Sequence, residues 1–371
     1  MRVQCSRDGL CVLAKHASCA AARPPSPQEL CGIHIQADRA RSSLTLTATD
    51  VNVSIRTSMC AEVERSGSAV VSARLLPKLL ACLPEETAAL ELPDNGRLSI
   101  RSGAAAYALD VLPGERYPMP ELPYPEDTAA VTGLRALTRH TVFAASSQPD
   151  APLMGCVKLI LDQTGLKGMS TNGFCITEAM GDDACQGRSE LLIPARSLSV
   201  LAALSQDSDV YEMGLAGKNV VFWNGTMLFS ARLVEGAFPD VSAVLKRFQG
   251  RYSVIVEAGA LCAALSSVTA VLGDRPGQAG LSCQEGALTV SAQSACGMSS
   301  LPVKAIVRNG PDRVFYYEPA FLLAYLKQCG GDVTLEFDEN GILVVCHRKT
   351  RYLQCPMRPP REAAKGTKKA A

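Results

Sequence analysis

The stretch LTLTATD, Leu44 to Asp50, returns as LKGMSTN from Leu166 to Asn172 and again as LTVSAQS from Leu288 to Ser294. Each copy stands 122 residues after the one before it and follows a polar turn (RARSS, DQTG, QEGA). The mix of β-branched and small residues behind a turn predicts an antiparallel strand leaving a hairpin. A period this long is too large for a solenoid unit, so it marks whole domains in triplicate.

The register holds outward from that strand. SARLLPKLLACL from Ser72 matches PARSLSVLAAL from Pro194, with Arg74 and Arg196 again 122 apart, and EPAFLLAYLKQC from Glu318 is a third version shifted by about three residues. DGLCVLAKHASCA, RALTRHTVFAASS and GALCAALSSVTAVLG form a second set. Both sets predict short amphipathic helices, several opened by Ser or Pro. GRLSIRSG, KNVVFWNG and NGILVVCH each predict the start of a hairpin, and LPGERYP and VEGAFP are the closing elements of the first two copies; the third ends RYLQCPMRP. The expected fold is α+β: three similar domains, 1–123, 124–249 and 250–358, each with two helices on one face of antiparallel sheets of about eight strands.

Bulk properties narrow the function classes. With 47% hydrophobic residues among 371 the chain can bury large cores, and no apolar run approaches the roughly 20 residues that cross a bilayer. No signal-peptide pattern opens it, so a soluble, cytoplasmic protein with no membrane partner is expected. The fifteen cysteines are odd in number and contain no C-x-x-C pair. They are expected to be reduced and mostly buried, with no metal site and no disulfide framework. His16, His34, His140 and His347 fall in separate elements, and neither a metalloprotease helix, a phosphate-binding glycine loop nor a nucleophile elbow is present. An enzyme would need a Cys-His pair assembled by folding.

Charge placement is more informative than the net charge of +1. Arg7, Lys15, Arg74, Lys78, Arg135, Arg139, Arg196 and Lys327 fall in the six expected helices, against Asp8 alone inside them, with Glu257 and Glu318 at their edges. The remaining acids lie on strands and loops. A helix-lined surface would then be positive, as a polyanion site requires. The first helix of the third copy carries no base. Helices about 10 Å wide, set side by side in a circle, leave a hole near 9 Å for six and nearly 30 Å for twelve. A duplex about 20 Å across therefore needs two chains.

With these features in order, the chain resembles the β subunit of bacterial DNA polymerase III, the sliding clamp family, from Met1 to Arg358. The carriers are the tripled domain, LTLTATD at Leu44, STNG at Ser170, EGAFPD at Glu235 and CPMRP at Cys355. The resemblance implies half of a closed ring: a homodimer of three-domain subunits that slides on double-stranded DNA without reading sequence. Such a ring has no catalysis and no cofactor, and it tethers the polymerase subunit, the clamp loader and repair proteins through short linear peptides.

Carried over by position, the peptide groove comprises Leu153, Thr171, Gly173, Phe174, Cys175, Ile176, Pro239, Val244, Leu353, Cys355, Pro356, Met357 and Arg358. Phe174 and Cys175 depart from the His-Arg pair common there. The DNA contacts are Arg23 and Arg74, to which the helix cations add Lys78, Arg135, Arg139 and Arg196. The second-domain tip reads SSQPDAP instead of a basic, aromatic sequence, and Ser242 and Ala243 replace arginines, with Lys246, Arg247 and Arg251 just beyond. The dimer contact falls on Tyr107, Val271 and Leu272. Residues 359–371 read as a flexible basic tail. The alternative reading is a divergent clamp-like paralogue or scaffold with altered partners.

Overall fold

The computed structural model describes residues 1–93, 96–125, 127–181, 189–273, 277–284, 286–311 and 313–360. Apart from its first two residues, the proposed tail lies outside them. The triplicated stretch forms the second strand of three hairpins: Gly32–Asp38 with Ser43–Thr49, Cys156–Asp162 with Gly165–Thr171, and Ala279–Gln284 with Ala287–Ser294. Leu44 and Leu46, and likewise Leu288 and Val290, point into cores at alternate positions, whereas the middle strand is covered on both faces, with Leu166 and Met169 buried on opposite sides. In the two alternating strands that pattern fixes register, because a slip of one residue would turn the pair to the other face.

The chain divides into two compact units, Met1–Thr132 with Arg196–Leu233 and Gly133–Ala195 with Val234–Ala371. The first holds a five-stranded and a nine-stranded antiparallel sheet; the nine-stranded one forms because Val53–Cys60 pairs with Met227–Arg232. The second unit holds a nine-stranded sheet, joined where Cys175–Met180 pairs with Thr350–Gln354, and a four-stranded sheet. Compactness thus cuts through the middle copy of the repeat. Its first strand, Thr128–Val131, and its last three are hydrogen-bonded into the first unit and the four between them into the second, and a shared backbone ladder ties strands more tightly than chain proximity does.

Seven α-helices are present among the described residues: α1 Arg7–Ser18, α2 Leu76–Leu80, α3 Leu134–Thr141, α4 Ala195–Leu204, α5 Val241–Arg247, α6 Ala258–Thr269 and α7 Pro319–Leu326. In α1 the Ser6 hydroxyl caps the start by accepting from the Gly9 N–H, and Leu10, Leu13, Ala14 and Ala17 form the buried stripe. In α6 the Glu257 carboxylate accepts from Gly259 and Ala260, with Leu261, Ala264, Leu265 and Val268 buried. So the acid at that edge is a cap, favourable at the positive end of the helix.

Three expectations need correction. α5 was not predicted; it begins at the FPD motif, where Asp240 accepts from the Ala243 N–H at 3.0 Å. Arg74 and Lys327 sit just outside α2 and α7 rather than within them. The cysteines are free, but of the fourteen described only Cys5, Cys156 and Cys175 are buried and five are exposed. Several, such as Cys19, Cys60 and Cys82, lie at a helix end, a strand end and a loop, where a small side chain is tolerated without burial. No helix among the described residues is long and apolar enough to cross a membrane.

Candidate functional site

In the second unit a tight turn follows the strand Gly165–Thr171. The Asn172 carboxamide oxygen accepts from the Phe174 and Cys175 N–H groups, both at 2.9 Å, and the Thr171 hydroxyl accepts from Gly173 while donating to the Cys175 carbonyl. Gly173 takes φ +88°, the left-handed region open to glycine. These bonds project Phe174 outward, where it is 65% exposed. Across the sheet the Cys355 N–H donates to the Phe174 carbonyl, placing the CPMR segment beside that ring.

Phe174, Phe321, Pro356 and Met357 face an open cleft of about 610 Å³, edged by Glu318, Cys355 and Arg358. Its floor is rigid: Gln354 donates to the Glu318 carbonyl and accepts from the Tyr352 hydroxyl, while Met357 is hydrogen-bonded to Tyr316. Gln278 lines the cleft too, and its buried Oε1 has no partner among the described residues. An apolar trough with one waiting acceptor suits a peptide that brings an N–H donor.

Of the expected groove residues, Phe174, Cys355, Pro356, Met357 and Arg358 meet at this cleft. Thr171, Cys175, Ile176 and Leu353 are buried and do not line it. Ile176 and Leu353 sit opposite each other across the sheet and pack with Met169, Val344, and Val241 and Leu245 of α5. Pro239 and Val244 are exposed on the segment forming α5, and a side chain added at Gly236 would strike Leu153. Gln278, Glu318, Ala320, Phe321 and Gln354 escaped the sequence reading. The apolar Phe321 on α7 was the one signal that could have pointed to them.

Burial pushes the Cys175 thiol up to about 12, against a smaller opposing effect of Asn172. Burial also raises Cys355, helped by Asp338. Cys175 therefore stays neutral at physiological pH, and the charge that an arginine would bring is absent from this wall.

The described α-helices contain one acid, Asp8, against Arg7, Lys15, Lys78, Arg135, Arg139, Arg196, Lys246 and Arg247. Asp8 is neutralised locally by Arg7 at 2.8 Å, and Arg7 also donates to the Leu83 carbonyl, so it braces the region after α2. Arg23, Arg74, Lys78, Arg139 and Arg196 are exposed; Arg135 is half-buried. Arg196 faces Asp50 at 3.8 Å with four-fifths of its side chain in solvent. Arg251 is paired with Glu339. Tyr107 is half-buried on the edge strand Ala105–Leu109, and Val271 and Leu272 lie in a 3-10 turn, Ala270–Leu272, packed on the second unit's core.

Antiparallel sheets with this strand order, base-rich helices and an apolar cleft define a protein of the clamp class. Family models for the DNA polymerase III β subunit match residues 1–123 (N-terminal domain) and 129–240 (central domain). Together they span more than half of the chain, which belongs to the DNA polymerase III β-subunit family. It is 27% identical to the β sliding clamp of Streptomyces coelicolor over 87% of each chain, and 25% identical to that of Synechococcus elongatus over 96% of this chain and 99% of the relative. A clamp from Pseudomonas aeruginosa, solved bound to griselimycin, superposes with TM-score 0.87 at 21% identity, covering 97% of this chain and all of the other.

Proposed function

We propose that this chain is a DNA sliding clamp, a cytoplasmic, non-catalytic processivity factor. Two copies, each of domains 1–123, 124–249 and 250–358, close head to tail into a ring around duplex DNA. The contact between copies uses Tyr107 on one and Val271 with Leu272 on the other, an aromatic beside two aliphatics. Topology then holds the protein on DNA, while weak phosphate attraction by Arg23, Arg74, Lys78, Arg135, Arg139 and Arg196 permits sliding. The cleft at Phe174 and Met357 captures short linear peptides of the polymerase, clamp loader and repair proteins, raising their local concentration at the primer end.

The observation that carries this reading is the near absence of acids from the seven described helices, in a chain of the β-subunit family. Replacing Arg74 and Arg139 together by alanine is expected to weaken DNA binding and to flatten the plot of log affinity against log salt by about 0.9 per lost phosphate contact. An unchanged slope would place those arginines away from DNA.

A second reading, a divergent clamp with changed partners, is favoured by Phe174 and the neutral Cys175 thiol. It predicts an intact DNA-retained ring that ignores peptides ending in aliphatic-aromatic pairs.

A further inference from the structure

The first unit contains a second pocket, about 370 Å³, that repeats the frame of the peptide cleft. It follows Ser43–Thr49 as the cleft follows Gly165–Thr171. The Asp50 carboxylate accepts from Asn52 and Val53 at 3.0 and 2.8 Å, as Asn172 accepts from Phe174 and Cys175. The Thr49 hydroxyl accepts from Val51 and donates to Val53, as Thr171 does with Gly173 and Cys175. The Arg232 N–H donates to the Asn52 carbonyl at 2.9 Å, as Cys355 does to Phe174.

The lining repeats as well. Thr49, Val51, Asn52 and Ser54 occupy the positions that the 122-residue repeat assigns to Thr171, Gly173, Phe174 and Ile176, while Leu30 and Pro118 stand one residue out of register with Leu153 and Pro239. Those six counterparts are among the residues that the family resemblance puts in the groove.

We propose that this pocket is a second docking site for a short linear peptide, taking one branched aliphatic side chain with a lysine or arginine beside it. The proposal rests on reading the first cleft as a peptide groove. Val51 sets the size. It holds φ +78°, close to the +88° of Gly173, although a β-branched side chain is strained there, and it is 64% exposed. Its side chain fills space that stays open at Gly173, so the pocket, about 370 Å³ against 610 Å³ for the first cleft, suits an aliphatic group against Leu30, Val51 and the prolines 118 and 120 better than an aromatic ring. Charge sets the neighbour. Among the described residues Glu121 is the one charged side chain lining the pocket, and the nearby Asp50 is engaged by the turn and by Arg196. An extended peptide can meet the exposed Asn52 with its backbone.

The test uses the full chain and two photoreactive peptides carrying a diazirine leucine: acetyl-Ser-Gln-photoleucine-Arg-Ser-Gly-amide, and acetyl-Ser-Gln-photoleucine-Phe-amide. Cross-links are mapped by mass spectrometry. The arginine peptide is expected to label residues 49–54 or 118–121, to lose that label in Val51→Asp, and to lose about threefold in Glu121→Lys, the range of an exposed ion pair. The same substitution should favour a version with glutamate in place of arginine. Val51→Gly relieves the backbone and deepens the pocket, and should let the phenylalanine peptide label this site. Absence of label at these segments, or label indifferent to all three substitutions, overturns the proposal. The phenylalanine peptide on the unsubstituted chain reports separately on residues 353–358: its failure there refutes the first cleft's reading, whichever way the second pocket behaves.

Discussion

At the residue scale, the cleft separates side chains open to solvent from those that hold the wall. Leu353 is 2% exposed and Met357 38% exposed, although the family resemblance puts both in the groove. Leu353→Ala should therefore cost about 2–5 kcal/mol in urea unfolding, whereas Met357→Asp should leave stability within about 0.5 kcal/mol and abolish peptide capture. Equal effects on stability would place Met357 in the core. The buried histidines give a pH signature. His34 stacks on Tyr117, its Nδ1 has no partner among the described residues, and burial lowers its pKa from 6.5; burial also lowers His16 and His140, the latter with help from His347 and Arg139. Below pH 6.5 the unfolded chain takes up protons that the folded chain resists. Stability should thus be full above that pH and fall as acid carries the protein down toward the depressed folded values. His34→Gln should reduce the fall in urea midpoint between about pH 7 and pH 5. Sequence named Phe174 and the CPMR segment because they sit on motifs. It could not separate Met357 from Leu353, because burial depends on α5 and on a strand whose Ile176 lies 177 residues before Leu353.

At the element scale, the FPD motif acquires a physical role. Phe238 packs against the small core of Met169, Ile176 and Leu353, and Asp240 caps α5, whose Val241 and Leu245 close that core. Asp240→Ala should lower stability by about 1 kcal/mol, and Asp240→Asn by less, measured as shifts in urea midpoint at constant slope. No change with alanine would show the cap to be idle. The strands of the triple repeat were legible from β-branched and small residues behind polar turns, which are local signals. α5 was not, because seven residues give too little periodicity to reveal a helix and because no counterpart of it was read in the first and third copies. The cysteines misled for a similar reason: their average tendency to be buried says nothing about Cys60 or Cys82 at exposed positions.

At the scale of the molecule, three copies of one sequence pattern yield two compact units, because Val53–Cys60 with Met227–Arg232 and Cys175–Met180 with Thr350–Gln354 join sheets across copies. The repeat was plain in the sequence, whereas these junctions were not: pairing between copies leaves no spacing signal. The same repetition creates two similar turns with different linings, so one frame supports both a large apolar cleft and a smaller pocket edged by Glu121. For the proposed ring, the decisive property is topological retention. Loaded onto closed circular duplex DNA and washed in salt high enough to suppress phosphate contacts, the protein should remain bound, then be released when a single restriction cut makes the circle linear. Equal retention on the circle and the cut molecule, or loss from both, would contradict an encircling clamp.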